Sequence, residues 1–206
     1  MEMRASEEIR QGEDITAPLF PLTFAFHDSL LDGHCSSCFS PLPCCCSSLP
    51  LSSAELRAAL YLLHSPLPTS SLPPPPRLFG LLTNRDKLMS SSDSDVASKI
   101  REGAREMARA RGNLSDDVAW EEAALCLVMT NAVEVQDDKT GRILGIAVYD
   151  RDFSWINHSC SPNACYRFSL SEPNAPSFRY EKKMRIAPHV VFDSTEAETP
   201  VKSQLC

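Results

Sequence analysis

Residues 152–165 of this chain read DFSWINHSCSPNAC. Within this stretch the run Asn-His-Ser-Cys-any-Pro-Asn fixes six letters in order. At average residue usage that run would occur by chance in fewer than about one chain in 10⁵. Upstream, residues 132–135 alternate in polarity, 137–141 predict a hairpin turn, and 142–149 predict a second strand. A strand pair is therefore predicted to lead directly into the most specific stretch of the chain.

Length and charge limit the classes of protein to consider. The chain has 206 residues, 43% of them apolar, which predicts one ordinary domain or one domain with an insert. Its net charge of -7 argues against direct nucleic-acid binding, because phosphate contacts need a basic face, and it permits a basic partner. No apolar run is long enough for a membrane span. The charged N-terminus lacks a signal-peptide core, so we expect the nucleus or the cytoplasm.

Three helices are predicted between the N-terminal segment and the strand pair. Residues 52–64 predict a short amphipathic helix with a serine cap, and residues 65–76 form a Pro/Ser-rich linker. A second helix is predicted from caps at 90–94 to Gly112, and a third opens at 115–117. The buried stripes assigned to the three helices are Leu56, Leu60 and Leu63; Val96, Ile100, Gly103 or Ala104, and Met107; and Val118, Leu125, Val128, Met129 and Ala132.

Cysteines are concentrated in one segment, 33–50, which holds five of the nine in the chain. With no export signal, this number suggests metal binding or free thiols before disulfides. Cys35 and Cys38 have the spacing of a zinc knuckle. Cys44 and Cys46 can point the same way in an extended chain and could complete one four-thiolate site. A degraded finger with loose thiols is the alternative.

The motif at 157–160 resembles the Asn-His-Ser-Cys motif of SET domains, which are protein-lysine methyltransferases that use S-adenosylmethionine. Residues 145–149, Ser154 and 156–158 follow the order of that family, and residues 3–15 resemble the first strand pair of its SET and MYND subfamily. The Cys-rich segment falls where those proteins carry a MYND zinc finger. The chain thus resembles a SET and MYND-type protein of the plant SET DOMAIN GROUP set.

This resemblance implies a fold and a division of the chain. The fold is α+β: a β-rich SET fold of small sheets with a pseudoknot-type motif, carrying helical and Cys-rich inserts. SET N-terminal strands would occupy 1–32, a degenerate MYND-like insert 33–50, and a helical insert 51–113. The SET core with the motif and a polar tail would occupy 114–206.

The resemblance also implies roles for individual residues. Asn157 and His158 would hold S-adenosylmethionine, largely through backbone and the Asn amide. Asn131 and Ser154 would contact its amino-acid or ribose portion. Asn131 is equally consistent with a helix C-terminal cap, and Ser154 with an ordinary turn residue. Zinc, if bound, would be held by Cys35, Cys38, Cys44 and Cys46 and would serve partner binding.

Three family features are not found in this sequence. No Gly-x-Gly turn precedes the first predicted strand, and no post-SET cysteine cluster follows the motif. No Gly-Glu-Glu…Tyr segment follows His158, since neither Tyr166 nor Tyr180 has that context. The catalytic tyrosine therefore stays unassigned. We expect a chain that is incomplete at its C-terminal segment, truncated, and weakly active or inactive alone.

Two functions of different classes follow from the sequence. The first is S-adenosylmethionine-dependent methylation of a lysine in a protein substrate, a histone tail or another protein. The second is a non-catalytic interaction protein that keeps a zinc knuckle and a partial SET scaffold. A disulfide-linked small protein is a third interpretation, against which the missing signal peptide counts.

Overall fold

The described part of the chain combines helices with small sheets, which agrees with the predicted α+β class. The computed structural model describes residues 19–33, 51, 53–64, 73–90, 94–113, 115–137 and 140–154, and the backbone at 157–158, 164–171, 185–192 and 202–203. The Cys-rich segment beyond residue 33, the first predicted strands before residue 19 and most of the Pro/Ser-rich linker lie outside these ranges.

Five α-helices and one 3₁₀ turn are present in these ranges. The 3₁₀ turn is Asp28–Gly33, and the helices are α1 Ala54–His64, α2 Arg85–Met89, α3 Ser94–Ala110, α4 Ala119–Asn131 and α5 Arg151–Ser154. The strands are β1 Thr23–Phe26, β2 Arg77–Leu78, β3 Leu81–Leu82, β4 Val133–Gln136, β5 Ile143–Val148, β6 Asn157–His158, β7 Ala164–Ser171, β8 Arg185–Phe192 and β9 Lys202–Ser203. No helix among the described residues is long and apolar enough to cross a membrane.

A three-stranded antiparallel sheet of order β1-β5-β4 carries the predicted strand pair. β1 follows Pro21 and lies at an edge, where the missing N–H of a proline costs least. In the central strand, Gly145 lies opposite Phe26. A Cβ at Gly145 would come 2.1 Å from the Ala25 carbonyl oxygen, so this close strand approach requires glycine.

The core lies where α1 and α4 pack together and against this sheet. α1 begins after Ser53, whose Oγ accepts a hydrogen bond from the Leu56 N–H at 3.4 Å. The predicted leucines of α1, Leu56, Leu60 and Leu63, are buried, and the buried surface is wider than one stripe because Arg57, Ala58, Ala59 and Leu62 are buried as well. The Thr23 hydroxyl donates to the Ala58 carbonyl at 2.9 Å and ties α1 to β1. α1 is therefore a core helix rather than a surface helix.

The predicted C-terminal end of α3 is confirmed, whereas α4 begins at Ala119, two residues after the predicted opening at 115–117. Gly112 adopts a φ of 72° and the Asn113 N–H donates to the Ala108 carbonyl at 2.9 Å, which closes the C-terminus of α3. Asp117 accepts from the Ala119 N–H at 3.2 Å at the start of α4. One member of the α4 stripe is wrong, because the Met129 side chain is 46% exposed.

A short hairpin, β2–β3, lies inside the range predicted to be helical and was not predicted. Its two-residue turn places Phe79 at φ 54° and Gly80 at φ 80°, which is favourable for glycine and unfavourable for phenylalanine. Phe79 is partly buried and packs against the core, so a tertiary contact outweighs the local backbone preference. The proposed division of the chain into inserts and SET core stays a prediction.

Candidate functional site

Between the central strand β5 and the motif lies the short helix α5, which is fixed by hydrogen bonds and an aromatic contact. Tyr149 is buried, and its ring lies 4.7 Å from the Phe153 ring, centroid to centroid. Asp150 accepts at Oδ1 from the Phe153 N–H at 3.3 Å, and its carbonyl accepts from the Ser154 N–H at 3.2 Å. The aromatic pair and this cap together anchor α5 on the core immediately before the motif.

Ser154 is the last residue of α5 and is exposed. Its Oγ donates to the Asp150 carbonyl at 3.1 Å, a bond within one helical turn that a structural serine makes readily. The same oxygen keeps acceptor capacity, since a hydroxyl has one proton to donate and two lone pairs. The turn interpretation of Ser154 matches this geometry, and its role toward a cofactor stays a prediction.

Asn131 is the last residue of α4. Its Nδ2 donates to the Leu127 carbonyl at 2.8 Å and to the Leu82 carbonyl at 2.9 Å. Two carbonyl partners require the NH₂ group on that side of the amide, because the opposite assignment would face oxygen against oxygen. The geometry matches the capping interpretation of Asn131. It leaves Oδ1, an acceptor, as the atom that this amide can offer to a ligand.

The unpredicted hairpin contacts both described candidate regions. Its strand β3 ends at Leu82, which is bound by Asn131, and Thr130 donates to the Thr83 carbonyl at 3.3 Å. On its other side the turn faces α5: a Cβ at Gly80 would lie 3.5 Å from Cδ of Arg151. The hairpin therefore spans the C-terminal end of α4 and the start of α5. No sequence signal predicted this element, so it is the part of the site that sequence reasoning missed.

Asn157 and His158 form β6, whose backbone pairs in parallel with Lys202 and Ser203 of β9. Downstream, β7 and β8 form an antiparallel pair of eight residues each. The structure describes no side chains in these strands, so the cofactor roles of Asn157 and His158 stay predictions.

The predicted zinc ligands Cys35, Cys38, Cys44 and Cys46 lie outside the described residues. Within the described part of the chain, no group of three or more His, Cys, Asp or Glu side chains comes close enough to hold a metal ion. Zinc binding by these four cysteines stays a prediction.

Two buried glutamates at the start of α4 each meet an arginine. Glu121 Oε1 accepts from Arg111 at 2.7 Å, and Glu122 Oε2 accepts from Nε of Arg85 at 3.0 Å. Cys126 lies near the Arg85–Glu122 pair, and burial raises the pKa of its thiol to about 11. The charge of Arg85 lowers that pKa, and the charge of Glu122 raises it. Cys126 therefore carries little thiolate at neutral pH and is a structural core residue rather than a nucleophile.

No family model matches the chain. The chain is 42% identical over 231 residues to Protein SET DOMAIN GROUP 41 of Arabidopsis thaliana, and the match covers all of this chain. The chain spans 39% of the length of that relative. Along its whole length the chain is therefore similar to part of a protein that bears the SET DOMAIN GROUP name.

Proposed function

We propose that this chain is the cofactor-binding part of an S-adenosylmethionine-dependent protein-lysine N-methyltransferase with the SET fold. The observation that carries the proposal is the Asn-His-Ser-Cys run at 157–160 in a chain that is 42% identical throughout its length to a SET DOMAIN GROUP protein. The anchored turn of α5 supports it, since a rigid approach to the motif suits a site that must hold a ligand in one orientation.

The hydrogen-bond acceptors that Asn131 and Ser154 keep are complementary to the donor groups of the cofactor. Both protons of the Asn131 amide are used on carbonyls, which leaves Oδ1 to accept. Ser154 Oγ likewise donates to a carbonyl and keeps lone pairs. The ammonium group and the ribose hydroxyls of S-adenosylmethionine are hydrogen-bond donors, so two acceptors are complementary to them. Backbone amides of Asn157 and His158 would hold the remainder.

The role proposed for these residues in the reaction is to hold S-adenosylmethionine in one orientation. When bound, the cofactor supplies an electrophilic methyl carbon on a sulfonium. Transfer requires the lysine nitrogen, that carbon and the sulfur to lie nearly in line, so holding the cofactor in one orientation is the main catalytic contribution of these residues. The lysine must also be neutral, which a dry channel would favour by lowering its pKa. The group that orients the amine is unassigned in this sequence.

Finer features belong to the same proposal. The organisation would be of the SET and MYND type, with the Cys-rich segment as a MYND-like finger holding zinc through Cys35, Cys38, Cys44 and Cys46. The substrate would be a protein lysine, in a histone tail or another protein, in the nucleus or cytoplasm. The chain spans 39% of the length of its relative. We therefore propose methyl transfer for a protein of the relative's full length, and weak or no activity for the 206 residues alone.

Saturation-transfer NMR on the full chain with S-adenosylmethionine tests the proposal, because this method registers weak binding. We expect a signal and a dissociation constant weaker than micromolar, since the Gly-x-Gly turn and the Tyr segment are not found. Asn157→Ala should remove the signal, and Asn113→Ala, at the end of α3, should keep it. A wild-type chain without signal contradicts the proposal. Micromolar binding by calorimetry would contradict the truncation interpretation.

The non-catalytic interaction protein is the second candidate. The observation that favours it is that both described candidate side chains, Asn131 and Ser154, already donate to backbone carbonyls as structural residues do. It predicts zinc in purified protein and no cofactor signal in the same sample. Zinc content by emission spectrometry, compared with a Cys35→Ser/Cys38→Ser variant, distinguishes the two candidates when combined with the NMR result.

A further inference from the structure

A groove of about 650 Å³ lies among α1, α3, α4 and β4. This volume is within the range of clefts that bind ligands or a few side chains of a peptide. Its floor is apolar and comes from all four elements: Leu56, Ile100, Leu125, Val128, Met129 and Val133. The exposure of Met129 at 46%, which contradicts its predicted burial, is explained by its place along this groove.

Gly103 sets the depth of the groove where α3 crosses α1 and α4. A Cβ at this position would meet Leu56 Cδ2 at 2.6 Å and Leu125 Cδ2 at 3.0 Å. The absence of a side chain therefore lets the three helices approach closely at the floor. A close-packed floor of this kind presents a defined apolar surface rather than a loose one.

The rim of the groove is acidic. Glu55 on α1, Glu102 on α3 and Glu134 on β4 line it and are exposed. Glu106 also lines it and is half-buried. Lys99 is the basic residue along the lining, and its ammonium lies 2.6 Å from an Asp95 carboxylate oxygen.

The charges of α3 are divided between two sides of the helix. Glu102 and Glu106 are one turn apart and line the groove. Arg101, Arg105 and Arg109 repeat at the same four-residue spacing, are exposed, and do not line it. Arg105 and Arg109 each follow one of these glutamates by three residues, so the charges of both signs are neighbours on α3, but only the glutamates line the groove.

We propose that this groove binds a peptide segment of a partner protein that carries lysine or arginine next to apolar side chains. The apolar side chains would contact the floor, and the cations would lie beside Glu55, Glu102 and Glu134. In the described sheet β4 is an edge strand, so an extended segment can approach it at Glu134. Charge complementarity of this kind sets partner selectivity and association rate. The inference is independent of cofactor binding and methyl transfer.

Fluorescence anisotropy of the full chain with a labelled octapeptide of alternating lysine and leucine tests the inference, without S-adenosylmethionine present. Octapeptides with glutamate in place of lysine, or glycine in place of leucine, serve as probe controls. Glu102→Lys and Glu134→Lys should each weaken binding about fivefold at low salt, because each replaces an attraction with a repulsion. Asp116→Lys makes the same change in net charge at an exposed position outside the groove and should leave binding within twofold.

Met129→Gln tests the apolar floor at a side chain that is already part-exposed, and Ile143→Gln, 39% exposed and outside the groove, is its control. We expect Met129→Gln to weaken binding about fivefold and Ile143→Gln to leave it unchanged. Equal binding of the lysine and glutamate peptides, equal effects of Glu134→Lys and Asp116→Lys, or no binding by the wild-type chain would each overturn the inference. None of these results depends on whether the chain binds the methyl donor.

Discussion

α1 and α3 both pack against α4, yet they use charged residues in opposite ways. α1 has eight buried residues among its eleven, including the arginine Arg57. α3 has one buried stripe, and its charged residues are exposed or half-buried on the rest of the helix. The buried Arg57 of α1 joins backbone segments by donating hydrogen bonds to their carbonyls, whereas exposed charged residues of α3 can contact a partner. The predictions below test this difference, from the largest effect on stability to the smallest.

Of the residues tested, Arg57 should contribute most to the free energy of unfolding. Its side chain is 2% exposed, and its guanidinium donates to the Leu51 carbonyl at 2.8 Å, the Phe26 carbonyl at 2.9 Å and the Asp28 carboxylate at 2.5 Å. Arg57→Ala would leave two carbonyls and a carboxylate without their donor and create a cavity. We expect a loss of about 3–5 kcal/mol in the free energy of unfolding, measured by urea denaturation.

Asp28→Asn is the matched control for Arg57. The Asp28 side chain is 55% exposed, so water can replace much of what the substitution removes. We expect a loss of about 1 kcal/mol or less. If both variants lost the same stability, the view that the buried guanidinium acts mainly through backbone carbonyls would be wrong.

Gly112 ends α3, and its replacement should have an intermediate effect. A φ of 72° is accessible to glycine and strained for alanine, so Gly112→Ala should cost about 1 kcal/mol. Gly112→Asn should recover most of that loss, because asparagine tolerates the left-handed region. Thermal unfolding of the three proteins measures the difference. An alanine variant as stable as wild type would contradict the assigned cap.

Glu102 should contribute least to stability. It is exposed on α3 and lines the groove, so Glu102→Gln should change the free energy of unfolding by less than about 0.5 kcal/mol. The same substitution should weaken binding of the lysine-leucine peptide about twofold, which anisotropy measures. A variant that lost stability on the scale of Arg57→Ala would remove the contrast between the two helices.

Elements with a regular alternation of polarity, or with a residue that typically ends a helix, were predictable from sequence. The alternation at 132–135 became β4, and Gly112 ended α3 as its position predicted. The hairpin at 77–82 was not predictable, because its turn places a phenylalanine where local preference calls for asparagine or glycine. The contact of Phe79 with the core stabilises that turn, and such a contact exists only in the folded chain.

The candidate site divides in the same way. Asn157 and His158 are proposed as site residues because of an ordered run of letters, which needs no fold to be recognised. For Asn131 the sequence left a cap and a ligand contact equally open. Only the folded chain brings the Leu82 carbonyl, 49 residues away along the chain, next to the amide and commits its two protons. The role of an amide depends on its partners, and those partners come from distant residues.

The sequence by itself determined the family resemblance, the strand pair before the motif, the C-terminal end of α3 and the acidic balance, because each depends on neighbouring residues or on composition. The tertiary structure decided that α1 is buried with its arginine, that Asn131 joins α4 to a hairpin, and that glutamates from three elements surround one apolar groove. Each of these depends on residues far apart in the chain, whose approach is governed by burial and hydrogen bonding in the folded state.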